Sequence, residues 1–287
     1  MAETHENWIG RTTARGDTLT PRLVAEFRAT LAGLVEDRPV PLGVFWALNP
    51  EIVAPELLGR DGHPRMGLYI PSLPLPRRMW AGGELHFAAD ISAGAMVTRE
   101  TTVENVATKE GASGKLGFVT LRNRHIADGA VVVEERQNIV YRTDHVPGSA
   151  ASVPPSAPDL GAPLAETAFT STPTLLFRYS ALTFNGHRIH YDAAYATGVE
   201  GYAGLVVHGP MQAIVLMNLA ARVFGRTPSR FTYRGVAPHI CGQPARAEAF
   251  PGEGGGLSLR MRIDGGPVTM TATAEGVPQP GTSSQRP

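Results

Sequence analysis

Two histidines and a carboxylate lie close together in a short polar segment of the second half of the chain. The segment reads NGHRIHYD at residues 185–192, so His187 and His190 are three residues apart. If residues 190–192 are extended, the side chains of His190 and Asp192 project to the same side. A neighbouring carboxylate orients an imidazole ring or raises its pKa toward the working pH. We therefore predict a general acid/base site in which His190 transfers protons and His187 and Asp192 support it.

A second segment of interest, HGPM at residues 208–211, comes directly before a long apolar run. Proline is favoured in the first turn of a helix, so a helix is predicted to begin here. Gly209 lets a ligand approach the backbone closely, and N–H groups at a helix start stabilise negative charge on a carbonyl oxygen. We predict that the Gly209 N–H polarises the carbonyl of a bound ligand and that His208 fixes the preceding loop by hydrogen bonding.

Apolar periodicity in the first half predicts one helix followed by strands. Thr20 and Pro21 are a plausible cap and first turn, and apolar residues follow at helical spacing as far as Leu34. Strand patterns at 116–125 and 131–141 flank a hairpin turn sequence. This half is therefore predicted to end in antiparallel sheet.

The second half repeats this plan with a different helix. Residues 211–224 are apolar almost all round, which predicts a buried helix. Alternating patterns at 257–263 and 268–272 predict two further antiparallel strands. A buried helix followed by such strands is typical of a sheet wrapped around a helix, so we predict an α+β fold with two such units.

Composition shifts give the predicted boundaries. Residues 145–163 concentrate Pro, Ser, Ala and Gly, which predicts a linker between a first unit at 1–144 and a second unit at 164–276. Residues 277–287 have the same character and are predicted to be a flexible tail.

Charge and cysteine content exclude several classes of function. The 26 basic and 26 acidic residues give a net charge of zero, so no overall field draws the chain to nucleic acid or an anionic membrane. The apolar run at 211–224 is too short to span a bilayer. One cysteine, Cys241, allows no internal disulfide and no thiolate cluster for zinc. A single cysteine also fits a cytoplasmic protein, which we predict. The histidines lack the spacing of a helical zinc motif, so we predict no metal site.

The segments at 185–192 and 207–209 resemble the hydratase motif of MaoC-like (R)-specific enoyl-thioester hydratases, which have the hotdog fold. Four further segments resemble the branch of that family that contains type 2 hydroxyacyl-thioester dehydratases and mesaconyl-CoA hydratases. They are RRMWAGG at 77–83, KEGASGKLGFVT at 109–120, residues 134–142 and FRYSALTF at 177–184. The resemblance implies a double hotdog, in which two fused units form a pseudo-dimer with the catalytic motif only in the second.

The resemblance also implies the activity and the catalytic residues. The reaction would be reversible addition of water at C2–C3 of a 2-enoyl thioester, with His190 as catalytic residue and the Gly209 N–H as oxyanion donor. Asn185 lies where the wider family has an aspartate. Because an amide is not a base, Asn185 would position water or the thioester. Asp192 or a carboxylate of the first half would assist His190.

The remaining expectations concern ligands and partners. No cofactor is expected, because coenzyme A or phosphopantetheine is part of the substrate, and an acyl carrier protein is an alternative carrier. The chain is expected to act as a monomeric pseudo-dimer or a homodimer. Alternative functions are a hotdog thioesterase and a non-catalytic acyl-binding protein.

Four residues outside the motif are predicted to bind substrate. Arg78 and Trp80 line the acyl pocket or simply close the first unit. Arg234 meets a phosphate or a carboxylate, or is a solvated strand residue. Tyr179, in the FRYSALTF segment, completes the set.

Overall fold

The structure is a computed structural model that describes residues 5–111, 114–145 and 157–276. Most of the predicted linker, residues 146–156, and the whole predicted tail at 277–287 lie outside the described residues. No helix in the described part of the chain is long and apolar enough to cross a membrane.

Ten strands form one antiparallel sheet. They are β1 (Thr12–Thr18), β2 (Arg77–Phe87), β3 (Met96–Gly111), β4 (Gly114–Ala127), β5 (Ala130–Arg142), β6 (Ala165–Phe169), β7 (Arg230–Gly235), β8 (Ala245–Pro251), β9 (Leu257–Ile263) and β10 (Val268–Glu275). Their order across the sheet is β1-β3-β4-β5-β2-β7-β10-β9-β8-β6. The predicted hairpin between β4 and β5 is confirmed, with Asp128 and Gly129 both at positive φ in its turn.

Counted inward from either edge of the sheet, the strands of a unit follow in the same order: first, third, fourth, fifth and second. Strands β1–β5 form a first unit and β6–β10 a second, and each has its second strand at the middle of the sheet. There β2 pairs with β7, from Gly82 opposite Arg234 to His86 opposite Arg230. The two units therefore share one continuous sheet, related by an approximate twofold axis between β2 and β7.

Each unit has a short helix after its first strand. Helix α1 (Pro21–Thr30) and helix α2 (Pro173–Leu182) both begin with proline. The side chains of Thr20 and Thr172 accept hydrogen bonds from backbone N–H groups at 3.1 Å, as N-caps do. Helix α1 ends before Leu34, the predicted limit. In position along its unit α1 corresponds to α2. The sequence had predicted instead that α1 is the first unit's counterpart of the buried helix of the second half, and this prediction was wrong.

The buried helix itself is α4 (Gly209–Phe224), preceded by the short helix α3 (Ala193–Gly198). All residues of α4 from Met211 to Ala221 are buried, and the helix packs against all five strands of the second unit. Its Asn218 donates to the carbonyl of Leu42 and accepts from the N–H of Glu36. In the described residues of the first unit no helix of comparable length follows α1, so α4 forms a core with parts of both units.

Candidate active site

The motif at residues 185–192 forms a tight loop rather than a strand. The side-chain oxygen of Asn185 accepts a hydrogen bond from the His187 N–H at 2.9 Å. Residues Arg188–His190 then make one 3-10 turn. This local hydrogen bonding explains why the chain turns here. Because the side-chain oxygen of Asn185 is used in this bond, its NH₂ group is the part of the side chain that can donate to a ligand. Asn185 lines the cleft.

His190 is buried, and one ring nitrogen has a fixed partner. Its Nδ1 lies 2.7 Å from the carbonyl oxygen of Val206, so Nδ1 carries the proton and Nε2 has the free lone pair. Burial lowers the pKa of His190 to about 3. The ring lines the cleft as a neutral imidazole, which is the form that accepts a proton.

Asp192 does not assist His190, and this prediction was wrong. Its carboxylate caps α3 by accepting from the N–H of Tyr195 at 3.0 Å, and it pairs with Arg188 at 2.8 Å. In a 3-10 turn successive side chains point about 120° apart, so the alternation expected of an extended segment does not occur. The role of Asp192 in the structure is that of a helix cap.

The ring of His208 lies directly beneath that of His190. The ring centroids are 3.5 Å apart and nearly parallel, and His208 Nε2 bonds to the Ser180 hydroxyl at 2.8 Å. Tyr179 packs edge-on against the other side at 4.8 Å. Burial lowers the pKa of His208 well below its usual value. A neutral His208 therefore supports the ring of His190, and Tyr179 is a buried residue in the lining of the cleft.

A residue cluster from the first unit completes this side of the cleft. His63 and His187 have ring centroids 4.3 Å apart. His63 Nδ1 lies 3.1 Å from a carboxylate oxygen of Asp61, which Arg78 approaches to 3.3 Å. Burial opposes ionisation of Asp61, but the bond from His63 and the charges around it hold its pKa below the usual value.

Asp61 and His63 were not predicted as site residues from the sequence. The signal that could have found them is the pattern Asx-Gly-His, which occurs at 61–63 and again at 185–187. One ligand atom from each of Asp61, His63 and His187 lies within 4.8 Å of the others, so these residues are the set that could hold a metal ion. The guanidinium of Arg78 already neutralises the carboxylate, which opposes binding of a second cation.

The start of α4 meets the first unit at Trp80. A Cβ on Gly209 would lie 2.6 Å from Cε3 of Trp80, so packing against Trp80 requires glycine at this position. The sequence had predicted a different reason, the close approach of a ligand. Trp80 in turn stacks on Tyr233 at 4.5 Å. The first N–H groups of a helix have no intrahelical acceptor, and Gly209 lines the cleft. The position suits stabilisation of a developing oxyanion.

The cleft runs from this site across the inner face of the first unit, with a volume of about 1190 Å³. Its lining includes the polar residues Arg99, Asn123, His125, Glu135 and Gln137 of the first unit. Glu135 is buried and accepts from Tyr233, Asn123 and Trp46. Arg234 lies exposed at the edge of the cleft on β7.

The sequence is similar to those of several known proteins. Residues 43–241 match the family described as hydroxyacyl-thioester dehydratase type 2. The chain is 39% identical over 276 residues to mesaconyl-C(4)-CoA hydratase of Chloroflexus aurantiacus, covering 93% of this chain and 96% of that protein. It is 25% identical over 261 residues to the mitochondrial type 2 hydroxyacyl-thioester dehydratase of Schizosaccharomyces pombe, covering 80% of this chain and 87% of that one.

Solved structures show the same fold at lower identity. HtdX of Mycobacterium tuberculosis superposes with a TM-score of 0.67 at 21% identity, covering 93% of this chain and 100% of that one. A second protein of that organism, described as a double hotdog, gives a TM-score of 0.53 at 17% identity and covers 94% and 97% of the two chains.

Proposed function

This chain belongs to the type 2 hydroxyacyl-thioester dehydratase family, and from that membership we propose that it adds water reversibly across the C2=C3 bond of a 2-enoyl thioester. The family, the double hotdog fold and the hydratase/dehydratase class predicted from the sequence are confirmed by the comparisons. The single observation that carries the proposed site is His190, a neutral imidazole with a fixed tautomer that lines the cleft beside the start of α4.

The thioester carbonyl would lie at the start of α4, where the Gly209 N–H stabilises the oxygen. His208 directly precedes Gly209 and its ring lies 3.5 Å from that of His190, so C2 of a substrate bound there is next to His190. In the dehydration direction His190 Nε2 takes the C2 proton, and negative charge develops on the thioester oxygen. The C–H electron pair then forms the C2=C3 bond while the C3–O bond breaks, and the departing oxygen takes up a proton and leaves as water. Asn185 donates from its amide to the hydroxyl or water oxygen at C3. These steps use proton transfer and hydrogen bonding alone.

Replacement of His190 by alanine tests this site. We expect a loss of about 10²–10⁴-fold in turnover, the usual contribution of an acid/base group, with an unchanged thermal midpoint. Loss of enoyl absorbance measures hydration, and free thiol release in the same sample measures hydrolysis. A His190→Ala protein with near wild-type hydration would refute the assignment, and thiol release by wild type without hydration would favour a thioesterase.

Two polar residues in the lining of the cleft, Arg99 and His125, support a proposal about the acyl group. Arg99 Nε and both ring nitrogens of His125 are buried without a hydrogen-bond partner in the described structure, and Glu51 is 4.0 Å from Arg99. Unpaired buried donors favour a ligand that supplies acceptors. We therefore propose a coenzyme A thioester of a short acyl chain with a polar or carboxylate end, of which mesaconyl-C(4)-CoA, named for the Chloroflexus relative, is one.

A pair of substrates tests the acyl group. Wild type should hydrate mesaconyl-C(4)-CoA with at least about tenfold higher kcat/KM than 2-decenoyl-CoA, because one acceptor bonded to a charged group is worth about 1.5–3 kcal/mol. Arg99→Met should reduce that preference. Equal preference for both substrates in wild type would contradict the proposal.

Three further expectations remain proposals. Both walls of the cleft come from one chain, which supports action as a monomeric pseudo-dimer. The single cysteine supports a cytoplasmic location. Coenzyme A rather than a carrier protein is the proposed carrier, since the Chloroflexus relative is named for a coenzyme A substrate.

A further inference from the structure

The chain contains the pattern Asx-Gly-His once in each unit, and the two copies face each other in the cleft. A Cβ on Gly62 would collide with the carbonyl of Gly186, and a Cβ on Gly186 with that of Gly62. The backbones are therefore in direct contact, and the backbone N–H of Arg188 donates to the Asp61 carbonyl at 2.9 Å. The two copies differ three residues further along the chain: His190 follows His187 at this spacing, and Met66 follows His63.

The copy in the first unit contains the carboxylate that the second copy lacks. Asp61 bonds to His63 Nδ1 at 3.1 Å and also accepts from the His63 N–H at 3.1 Å. A carboxylate only accepts hydrogen bonds, so Nδ1 carries the proton and Nε2 is the reactive nitrogen. Arg78 is 3.3 Å from the same carboxylate and keeps it ionised. The sequence predicted an imidazole bonded to a carboxylate at His190. The structure has that pair at His63, whereas the Nδ1 of His190 bonds to a backbone carbonyl.

We propose that His63, oriented by Asp61, is the second acid/base residue of the active site and acts at the substrate oxygen while His190 acts at C2. The proposal rests on the proposed hydratase function. His63 lines the same cleft as His190 and Asn185. The catalytic pair is thus divided between the units, with one imidazole from each.

The proton and electron balance is complete with these two residues. In dehydration His190 Nε2 takes the C2 proton and the C–H electron pair forms the C2=C3 bond. The C3–O bond breaks, and the oxygen takes a proton from protonated His63 and leaves as water. Hydration reverses each step, so one catalytic proton is on His63 before dehydration and on His190 after it. Exchange with solvent in the open cleft returns the site to its starting state.

The charges around the two rings favour this distribution of the proton. Burial lowers the pKa of His63 below its usual value, and Arg78 acts in the same direction, while the bond to Asp61 and the negative charges of Asp61 and Glu51 offset part of that decrease. His190 is buried with only the Val206 carbonyl to raise its pKa. His187, the remaining titratable group against His63, also has its pKa lowered by burial. The first unit therefore holds the proton more readily than His190 does.

A change of leaving group separates the two residues. Dehydration of a 3-hydroxyacyl-CoA needs a proton on the departing oxygen, whereas elimination from the matching 3-chloroacyl-CoA releases chloride without one. His63→Gln should lose about 10²–10³-fold in kcat/KM on the hydroxy substrate and stay within about threefold of wild type on the chloro substrate. His190→Ala should lose both reactions, because both begin with removal of the C2 proton.

The control is His86→Gln. His86 pairs with Glu84, two residues before it, as His63 pairs with Asp61, but it is half exposed on β2 and does not line the cleft. We expect wild-type rates on both substrates. Asp61→Asn should lower the rate on the hydroxy substrate and move the alkaline limb of its pH profile to lower pH, since the charge that favours protonated His63 is gone.

Two outcomes would overturn the proposal. One is a His63→Gln protein with the wild-type rate on the hydroxy substrate, and the other is an equal loss on both substrates, which would give His63 a structural role. A wild-type protein that dehydrates no 3-hydroxyacyl-CoA would instead refute the proposed function, so the two failures are distinguishable.

Discussion

The two units have the same strand order and differ in what covers the inner face of the sheet. In the second unit α4 lies on the strands, and β8 presents the small buried side chains of Ala245, Ala247 and Ala249. Small residues let a helix approach a sheet closely. In the first unit the corresponding face has Asn123, Glu135 and other polar residues of the cleft. Where one unit has a helix, the other has room for a ligand.

This comparison explains why fusion of two units is useful. The second unit provides a rigid helix start and His190, and the first provides a polar cavity together with Asp61 and His63. Neither unit contains the whole site. The contacts between the units, at Trp80 and around Asn218, should therefore be as sensitive to mutation as the catalytic residues.

Gly209→Val should have the largest effect, because it breaks the contact between the units. The new side chain would overlap the Trp80 ring, so the ring must move from its stack with Tyr233. We expect a loss of about 1–3 kcal/mol in unfolding free energy and of about 10²-fold or more in kcat/KM. Urea unfolding and steady-state kinetics measure the two effects. Gly198→Ala is the matched control, because a Cβ there meets no atom within 4 Å.

Asn218→Ala tests whether α4 also holds the first unit. The change leaves the partly buried N–H of Glu36 and the carbonyl of Leu42 without this partner, at a cost of about 1–3 kcal/mol. Arg222→Ala on the same helix removes a 3.3 Å bond to Thr167 at the surface and a charge that acts on Glu36, and should cost less than about 0.5 kcal/mol. Equal losses in urea unfolding would show that α4 is independent of the first unit.

Acid should destabilise both units through buried histidines, of which His125 and His190 are one in each unit. Burial lowers the pKa of His125 in the first unit and of His190 in the second to about 3. Below pH 6.5 the unfolded chain binds a proton at each that the folded chain does not, so stability falls as pH falls. At pH 5 each histidine costs about 2 kcal/mol relative to neutral pH. Urea unfolding at pH 7 and 5 should show that His125→Leu loses about 2 kcal/mol less than wild type, and equal losses would contradict this.

Asp192 should give the smallest effect, although it lies in the motif of the second unit. Asp192→Ala removes the cap of α3 and should cost about 1 kcal/mol, while Asp192→Asn keeps a cap. Both variants should retain kcat/KM within about twofold, because the carboxylate bonds to Arg188 and Tyr195 rather than to His190. A tenfold loss in Asp192→Asn would restore the pairing expected from the sequence.

The sequence by itself determined the features that depend on neighbours along the chain. The Thr20 cap, the turn at Asp128 and Gly129 and the buried course of α4 all follow from short patterns, since caps, hairpin turns and helix faces involve residues a few positions apart. The resemblance of residues 185–192 to a family motif identified His190 in the same local way.

Only the tertiary structure decided which residues meet across the two units. Asp61 and His63 lie more than 100 residues before His190 in the chain, and nothing local to either segment requires their contact. It depends on the pairing of β2 with β7 and on the close approach of Gly62 to Gly186. It also became evident only in three dimensions that no long helix of the described residues covers the first unit's half of the sheet, because the cover of a sheet depends on packing rather than on periodicity.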